Sequence, residues 1–332
     1  MRYIIVLVLI FITYSLNAEE WEDQRIFSSG STNQTLRILS STDTSFFEPI
    51  LKSYLVDNPA TKIEYLVTGT ASLDKIFRNT PEKYDLVISS AMDLQLKLVN
   101  DGFAIKIQDS NHPSWAKWRK SLFAFTIEPA AIVINKRAFA NQKIPQSRQD
   151  LIKALRSRSK FFQNKLGTYD VRKSGLGYLF ATQDARTSET YWRLMEVMGG
   201  LGTQLYCCSG DMIDDLISGK IAVAYNVLSS YAGARKKVSD EIEIILPADF
   251  PTTMMRTAMV SKLAPNVENA KNFMLHLLKT QLKPADKNNY TLPPLLLNSG
   301  QQTIILEPAL MTYLDKLKRQ TFIKEWERAI IQ

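Results

Sequence analysis

A stretch in the middle of the chain combines small residues with two cations. Tyr169–Tyr178 reads YDVRKSGLGY and runs into a helix-like segment. Small residues such as Gly175 and Gly177 at a helix start let backbone N–H groups approach an anion, and the helix dipole adds to their attraction. Arg172 and Lys173 supply positive charge beside them. The pattern predicts an anion-binding loop whose ligand-contacting residues are Asp170, Arg172, Ser174, Gly175, Gly177 and Tyr178.

The same stretch also has a simpler interpretation. Glycines often do no more than shape a turn. The stretch lacks the Gly-Lys-Ser/Thr ending of a nucleotide P-loop, which argues against nucleotide binding and hydrolysis. Its interpretation as a ligand loop therefore depends on matching loops elsewhere in the chain.

Three strand-like segments near the start of the chain each end in a loop that is rich in hydroxyl groups. They are Leu36–Ser40, Lys62–Val67 and Asp85–Ile88. In open α/β sheets, ligands bind at the carboxyl ends of the strands, so these loops are expected to form one wall of a ligand cleft. The residues expected to contact the ligand there are Ser41, Thr42, Asp43, Thr68, Gly69, Thr70, Ser89 and Ser90.

The hydroxyl groups of these loops have an alternative role, because serine and threonine at a helix start commonly cap their own helix. Asp43 adds a complication. A carboxylate at a helix start would repel an anion or take its place. It could equally accept a hydrogen bond from a sugar hydroxyl or from an ammonium group of a ligand.

Two further loops in the second half of the chain could face the same cleft. Ser209 opens a helical segment that closes at Gly219, and Tyr225 and Asn226 stand at the end of the strand-like segment Ile221–Tyr225. Tyrosine and asparagine offer a hydroxyl and an amide that can orient a ligand. The alternatives are that Ser209 only caps its helix and that Tyr225 is a buried core residue.

The order of these segments predicts the architecture. Strand and helix patterns alternate from Leu36 onward, which indicates an α/β fold with largely parallel sheets. The length suits two lobes of ordinary domain size. We expect residues 35–128 to form the first part of lobe 1 and residues 129–250 to form lobe 2. Residues 251–332 are expected to return to lobe 1 and to add C-terminal helices.

The N-terminus carries a secretion pattern. Residues 1–18 have Arg2 at the front, an apolar run from Ile4 to Ile12 and small or polar residues up to Ala18. This pattern is typical of a signal peptide, because the run is far shorter than the roughly 20 residues of a membrane-spanning helix. We predict export to the periplasm, with residues 19–34 as a flexible leader.

Composition argues against several classes of function. The cations behind the formal net charge of +8 are scattered, which argues against a nucleic-acid surface. Cys207 and Cys208 are adjacent, so a stabilising disulfide is not expected, and with His112 and His276 far apart they make a poor zinc site. No G-x-S-x-G motif is present. We predict a protein without catalytic residues, metal or cofactor, and keep a secreted hydrolase as an alternative.

The chain resembles the periplasmic solute-binding proteins of ABC importers, of the type II two-lobed kind. The similarity runs from Leu36–Leu39 to the helix after Pro265, and its most specific part is Tyr169–Phe180 with Met212–Asp215 and Ala224–Leu228. It is closest to the branch that contains ferric-iron and sugar-phosphate binders. The resemblance implies a hinge between two lobes, a ligand in the cleft and delivery to a membrane permease. We expect the protein to act as a monomer.

The resemblance leaves the ligand and the partner open. The iron branch typically uses two neighbouring tyrosines, whereas Tyr225 is followed here by Asn226 and the next tyrosine is Tyr231. Sugar phosphates, other organophosphates and small carboxylates remain as predicted ligands, with ferric iron as an alternative. Such relatives also serve as the sensing partner of a receptor kinase, which is an alternative to the permease.

The strength of binding constrains the number of cooperating loops. One helix terminus contributes about 0.3–1 kcal/mol, whereas a micromolar complex needs about 8 kcal/mol. One loop cannot supply this, so two lobes are expected to close on the ligand and exclude water.

Overall fold

The computed structural model describes residues 21–108, 111–282, 292–295 and 303–332. The predicted signal peptide at residues 1–18 lies outside these ranges. None of the helices within them is both long and apolar enough to cross a membrane.

Strands and helices alternate along the described chain, as the sequence pattern predicts. The strands are β1 (Asp23–Ser28), β2 (Gln34–Ser40), β3 (Thr61–Val67), β4 (Leu86–Ser89), β5 (Lys117–Trp118), β6 (Leu122–Ala124), β7 (Glu128–Asn135), β8 (Leu166–Tyr169), β9 (Gln204–Tyr206), β10 (Val223–Leu228), β11 (Ile242–Ile245), β12 (Thr253–Met254) and β13 (Thr257–Val260).

The helices pack against the faces of two sheets. They are α1 (Thr44–Asp57), α2 (Thr70–Asn79), α3 (Met92–Asn100), α4 (Arg148–Ser157), α5 (Ser159–Phe162), α6 (Gly175–Thr187), α7 (Thr190–Gly200), α8 (Ser209–Ile217), α9 (Ser229–Lys236), α10 (Val267–Leu282) and α11 (Lys316–Ile330). Short 3-10 helices occupy Pro81–Lys83, Ser114–Ala116, Lys136–Phe139 and Pro308–Leu314.

The first sheet has the strand order β1-β3-β2-β4-β13-β6-β5. Its centre is parallel: Ile38 of β2 lies opposite Tyr65 of β3 and Leu86 of β4. All three side chains are fully buried, as expected for strands that helices cover on both faces. We call this sheet and its helices lobe 1.

The first strand corrects one expectation. Residues 23–28 form β1, so the prediction of a flexible leader over 19–34 is wrong for this stretch. β1 pairs antiparallel with β3, with Asp23 opposite Val67 and Ser28 opposite Lys62. An edge strand is held by backbone pairing on one side and can carry polar side chains, which is why a search for apolar patterns passes over it.

The second sheet has the order β11-β7-β10-β8-β9, with β12 paired to the start of β7. β8 runs parallel to both β10 and β9. We call this sheet and its helices lobe 2. The chain enters lobe 2 through β7 and leaves it through β12, after which β13 inserts between β4 and β6 of lobe 1.

The two segments that cross between the lobes are bonded to each other. The N–H of Phe125 donates to the carbonyl of Arg256 at 2.9 Å, and the N–H of Arg256 donates to the hydroxyl of Thr126 at 3.0 Å. Beside them the buried Arg256 guanidinium pairs with Glu128, with Nε 3.0 Å from Oε1. The crossing thus forms one bonded unit at the place where a hinge would lie.

The C-terminal helix packs on lobe 2. Phe322 and Trp326 of α11 are buried in the same apolar cluster as Tyr191 and Leu194 of α7. β13 and α10 pack in lobe 1, whereas α11 goes back to lobe 2.

The contact between α7 and α11 depends on a glycine. A Cβ atom added to Gly199 would lie 2.1 Å from the carbonyl oxygen of Ala329 and 2.9 Å from the Cα of Ile330. Both atoms belong to the backbone of α11. Any side chain at position 199 would therefore force α11 away from α7.

We expect Gly199→Ala to lower the free energy of unfolding by about 1–3 kcal/mol, the usual cost of forcing extra atoms into a packed interface. The matched control is Gly233→Ala in α9, where no atom lies within 4 Å of the added Cβ. Alanine should stabilise that helix by about 0.5–1 kcal/mol. Urea denaturation of both variants measures the difference, and equal effects of the two substitutions would contradict the role of Gly199.

Candidate functional site

The loops at the strand ends of both lobes enclose a cavity of about 670 Å³. We call it the interlobe cavity. Its lining residues are Glu22, Asp23, Arg25, Ser41, Asp43, Thr44, Ser45, Glu48, Val67, Thr68, Gly69, Thr70, Ser90, Tyr169, Ser174, Leu176, Cys207, Cys208, Ser209, Gly210, Asp211, Leu228 and Tyr231. Of the residues that the sequence analysis singled out, those on the lining are Ser41, Asp43, Thr68, Gly69, Thr70, Ser90, Ser174 and Ser209.

Hydroxyl groups form the lobe 1 wall because three parallel strands end side by side there. The N–H of Ser41 donates to the carbonyl of Ile88 at 3.0 Å, and the N–H of Thr68 donates to the carbonyl of Ser40 at 3.0 Å. These bonds extend the sheet past the ends of its strands. The hydroxyl oxygens of Ser41 and Ser90 lie 3.5 Å apart, so neighbouring loops present their hydroxyl groups together.

The lobe 2 wall uses its hydroxyl groups partly to build itself. The Ser174 side chain caps α6 by accepting a hydrogen bond from the N–H of Gly177 at 3.1 Å. The hydroxyl groups of Tyr169 and Ser209 are 2.5 Å apart, and Ser209 also accepts from the N–H of Leu228 at 3.3 Å. Burial raises the pKa of Tyr169, so this phenol stays protonated and remains a hydrogen-bond donor.

Direct contacts join the lobes across the cavity. The hydroxyl of Tyr231 in lobe 2 donates to Oδ1 of Asp43 in lobe 1 at 3.0 Å, and its ring stacks on Phe46 with the ring centroids 4.2 Å apart. The N–H of Leu176 donates to the Thr70 hydroxyl at 3.1 Å. The structure therefore shows the lobes closed on each other at these points.

The charged side chains of the lining are mostly acidic: Glu22, Asp23, Asp43, Glu48 and Asp211 stand against Arg25. Two of these acids have local cations. Asp23 pairs with Arg25 at 3.4 Å and accepts a hydrogen bond from Thr44 at 2.7 Å, and this bond lowers the pKa of Asp23. Glu48 pairs with Lys52 at 2.6 Å.

The other three acids, Glu22, Asp43 and Asp211, have no lysine or arginine nitrogen within 4.0 Å among the residues that the structure describes. Glu22 is held in place because its N–H donates to the carbonyl of Val67 at 2.9 Å. Partial burial, followed by repulsion from Asp43 and Asp211, raises the pKa of Glu22 above its ordinary value. The cavity thus holds three carboxylates that pair with no described lysine or arginine, although the backbone of Gly69 bonds to Glu22 and the hydroxyl of Tyr231 bonds to Asp43.

Arg172 lies away from the cavity. Its Nε and Nη2 atoms each lie 2.8 Å from a carboxylate oxygen of Asp170, and Nη1 lies 3.2 Å from Glu327 of α11. Burial alone would raise the pKa of Asp170, but the bonds from Arg172 hold it below its ordinary value. The expectation that Arg172 and Asp170 contact a ligand is not met, because each satisfies the other.

Tyr225 and Asn226 are also turned into lobe 2. The Tyr225 hydroxyl donates to Oδ2 of Asp184 at 2.6 Å and accepts from Nε of Arg148 at 2.6 Å. The Asn226 amide donates to the same carboxylate at 2.9 Å. All four residues are buried, so this pair serves the core of lobe 2 and not the lining.

The remaining predicted residues lie behind the walls. Thr42 accepts a hydrogen bond from Nη1 of Arg256 at 2.6 Å, and the Ser89 hydroxyl accepts from the N–H of Ala91 at 3.1 Å. Both are buried. Their hydroxyl groups hold the crossing region and the start of α3, which corrects their assignment to the ligand.

The glycines of the central stretch serve helix packing. A Cβ added to Gly177 would lie 2.3 Å from the Cβ of Tyr169, so α6 approaches β8 closely there. Gly175 packs against lobe 1, and the Tyr178 hydroxyl donates to the carbonyl of Tyr313 at 2.6 Å. None of the three lines the cavity.

Several lining residues were missed by the sequence analysis. Glu22 and Asp23 were assigned to the leader, and Tyr231 was noted only as a tyrosine that follows Tyr225. Asp211 lies in the helical segment that Ser209 opens, but it was not selected as a contact. For Asp211 the available signal is an acid in the first turn of a helix. Glu22 and Asp23 stand at the start of a strand and Tyr231 lies inside a helix, so no local pattern marks them.

The adjacent cysteines lie on the cavity lining. The structure joins Cys207 and Cys208 by a disulfide bond between neighbouring residues, which closes no loop of the chain. Together with Asp211 they are the single group of three potential metal ligands within 4.8 Å of one another in the described ranges. Sulfur atoms in a disulfide are not thiolates and do not act as strong metal ligands, so the group does not form a metal site in this oxidised state.

Comparison with known proteins places this geometry in a family. Residues 81–316 match the family model of bacterial extracellular solute-binding proteins. A comparison with curated protein sequences gives no match.

Solved structures agree over nearly the whole chain. A substrate-binding protein of an ABC transporter from Agrobacterium tumefaciens is 27% identical, with a TM-score of 0.87 over 93% of this chain and 98% of that one. The periplasmic binding protein AfuA from Actinobacillus pleuropneumoniae, with fructose 6-phosphate bound, is 15% identical, with a TM-score of 0.72 over 90% and 99% of the two chains.

Iron-bound HitA from Pseudomonas aeruginosa is 13% identical, with a TM-score of 0.61 over 89% of this chain and 99% of that one. The predicted α/β fold with two lobes and a cleft is confirmed. The chain belongs to the family of bacterial extracellular solute-binding proteins.

Proposed function

We propose that this protein is the extracytoplasmic binding component of an ABC import system, that it captures a small polar solute in the interlobe cavity, and that it catalyses no reaction. The observation that carries the proposal is the cavity itself, which both lobes line with hydroxyl groups and across which Tyr231 contacts Asp43. The similarity to the Agrobacterium tumefaciens protein supports the ABC assignment.

The size of the cavity suits a small solute. Ligand pockets usually measure about 300–1,000 Å³, and the volume of about 670 Å³ falls in this range. Buried polar walls favour a ligand that replaces the lost water with several hydrogen bonds, because a polar group buried without a partner is costly. A solute with hydroxyl, amine or similar groups fits these walls.

The prediction that the ligand is an anion remains a hypothesis. One observation supports it and another argues against it. AfuA, which shares the fold, has fructose 6-phosphate bound. In this chain, however, Arg172 pairs with Asp170 and Arg25 pairs with Asp23. A phosphate or carboxylate would therefore meet more acids than free cations in the described lining.

Ferric iron is supported only by the shared fold of ferric-binding proteins, HitA among them. The two tyrosines on the described lining, Tyr169 and Tyr231, already bond to Ser209 and Asp43. An iron site would require phenolates at these positions, and burial raises the pKa of both side chains. Iron is therefore the weaker alternative.

The hydrolase alternative lacks a suitable site among the described residues. The hydroxyl of Ser53 lies 2.8 Å from Nε2 of His276, but this pair joins α1 to α10 and is absent from the cavity lining. Ser53 also donates to the carbonyl of Ile50 at 2.9 Å. A catalytic serine needs both a base and an accessible substrate site. Ser53 has a neighbouring histidine but does not line the cavity.

A thermal-shift screen tests the proposal. The secreted form of the protein is mixed with sugar phosphates, dicarboxylates, neutral sugars, diamines and amino acids, and the melting temperature is recorded. A ligand at about 100 times its Kd stabilises the native state by about 2.7 kcal/mol. We expect at least one class to raise the melting temperature, and the absence of any shift across all classes would contradict the proposal.

Uptake distinguishes the two possible partners. If the protein serves an importer, deleting its gene abolishes uptake of the compound that the screen identifies. If it serves a sensor kinase ectodomain instead, uptake persists and the transcriptional response to the compound is lost. We expect the first result, with the protein acting as a monomer.

A further inference from the structure

The acids of the interlobe cavity come from three separate elements and converge on one space. Glu22 precedes β1, Asp43 precedes α1, and Asp211 lies in the first turn of α8 in the opposite lobe. All three line the cavity. Because they come from both lobes, closing the lobes brings like charges together, and this costs free energy unless a positive charge enters with the ligand.

The protein does not supply that positive charge from its described residues. Arg25 and Lys52 are paired with Asp23 and Glu48. Arg256 lies behind the wall, where it pairs with Glu128. The acids without a cation are therefore left to repel one another. Partial burial raises the pKa of Glu22, and this repulsion adds to the shift.

A metal ion is a poor match for these acids. A divalent ion needs several oxygen ligands at about 2.0–2.6 Å, so its ligand atoms must lie close together. In the described part of the chain, no group of three cavity carboxylates has its oxygens within 4.8 Å of one another. A cation whose charge is spread over an organic molecule, or which carries more than one charged group, fits such spacing better.

A side chain on the same wall provides an independent indication of a ligand. Thr68 is only 4% exposed and lines the cavity, yet its hydroxyl makes no hydrogen bond to any residue that the structure describes. Its oxygen is not sealed inside the wall, so it is available to a group that enters the cavity. A ligand group that accepts from or donates to Thr68 would satisfy it beside the carboxylate of Glu22.

We propose that the solute captured in the interlobe cavity carries a protonated amine or another organic cation, which binds Glu22, Asp43 and Asp211, while its remaining polar groups bond to Thr68 and the neighbouring hydroxyl groups. This inference rests on the proposed function, because it assigns the charge of the solute that the protein captures. It replaces the anionic ligand that the sequence predicts.

Matched probes test the sign of the charge. Putrescine, succinate and 1,4-butanediol share a four-carbon chain and differ in charge, and ethanolamine and fructose 6-phosphate extend the comparison. We expect the amines to raise the melting temperature at about pH 7.5, where amines are protonated, and the anions and the diol to leave it unchanged. If succinate or fructose 6-phosphate raises it and the amines do not, the inference is overturned while the proposed function stands. If no compound of either charge has an effect, both fail.

A pair of glutamate variants locates the charge. We expect Glu22→Gln to weaken putrescine binding by about 5- to 10-fold, the scale of one charge pair. Glu268→Gln is the control, because Glu268 of α10 lies outside the cavity lining and is paired with Lys271, and we expect less than about a 2-fold change there. Isothermal titration calorimetry measures both. Equal losses in the two variants would overturn the role of Glu22.

The pH dependence of putrescine affinity provides a second test. The pKa of Glu22 is raised in the ligand-free protein, and a bound cation favours the carboxylate form, so binding lowers this pKa and releases protons. Affinity for putrescine should therefore be full above the pKa of Glu22 and fall as the pH drops through it toward about 4.5, whereas Glu22→Gln should flatten this dependence. Affinity that rises on acidification would contradict the inference.

Discussion

Arg256→Met is expected to lower the free energy of unfolding by about 3–5 kcal/mol, because it leaves a buried carboxylate without its cation. Arg256 and Glu128 are both inaccessible to solvent, and two guanidinium nitrogens lie 3.0 and 3.1 Å from the Glu128 oxygens. The third nitrogen donates to Thr42. Urea denaturation of the wild type and the variant measures the loss.

The control for this prediction is the double variant Arg256→Met with Glu128→Leu. Replacing a complete buried ion pair by apolar side chains is often neutral, so the double variant should recover much of the loss. The two changes are expected to be strongly non-additive. A single variant that loses less than about 1 kcal/mol, or a double variant that is worse than either single one, would show that the pair is not what holds the crossing.

The pH dependence of the same pair follows from the pKa of Glu128. Burial alone would raise this pKa, but the charge and hydrogen bonds of Arg256 hold it below the ordinary value of 4.5. The pair therefore stabilises the wild type fully above that value, and the stabilisation is lost as the pH falls through the lowered pKa. In Arg256→Met this acid-linked loss should disappear.

The second large effect is expected in the core of lobe 2. Asp184→Leu should lower the free energy of unfolding by about 3–5 kcal/mol, because it removes the acceptor of several buried donors. Tyr225 and Asn226 donate to Asp184 at 2.6 and 2.9 Å, Arg148 does so at 3.2 Å, and Thr252 also donates to it. Chemical denaturation checks the value.

Tyr225→Phe is a milder change in the same buried hydrogen-bond network. It removes one hydroxyl and leaves Nε of Arg148 without its acceptor, so we expect a loss of about 1–3 kcal/mol. Asp211→Asn, on the exposed side of the cavity, is the control and should stay within about 0.5 kcal/mol. If Tyr225→Phe proves as mild as Asp211→Asn, the hydroxyl is not part of a buried network.

The parts of the fold that the sequence predicts best are those with strong periodicity. Leu36–Ser40 and Lys62–Val67 are apolar and bounded by turn residues, and they form β2 and β3 as predicted. The loops after these strands lie at the carboxyl edge of the sheet, where ligands bind in open α/β folds. Ser41, Thr68 and Ser90 consequently line the cavity.

The residues that were wrongly assigned to the ligand show where local patterns fail. Arg172 stands beside small residues at a helix start, but its charge is taken by Asp170 two positions earlier. Asn226 was expected after a strand, whereas β10 continues to Leu228. Its φ of 64° and a shift in strand register there turn the amide inward. Neither the pairing partner nor the bulge is visible in one sequence.

The acidic character of the cavity could not be derived from a count of charges. The chain is basic overall, and its acids are spread along the sequence. Only the fold brings Glu22, which was assigned to a leader, next to Asp43 and to Asp211 of the opposite lobe. The sign of the charge around a ligand thus depends on tertiary structure and can be opposite to that of the whole protein.

The path of the chain has a practical consequence. β13 returns to the first sheet after the whole of lobe 2, and α11 then returns to α7, so neither lobe corresponds to one uninterrupted stretch of the gene. Deletion fragments will expose apolar faces instead of yielding half-proteins. Isolating one lobe for spectroscopy would require rejoining separate segments by new linkers, and the intact molecule is expected to melt in a single step.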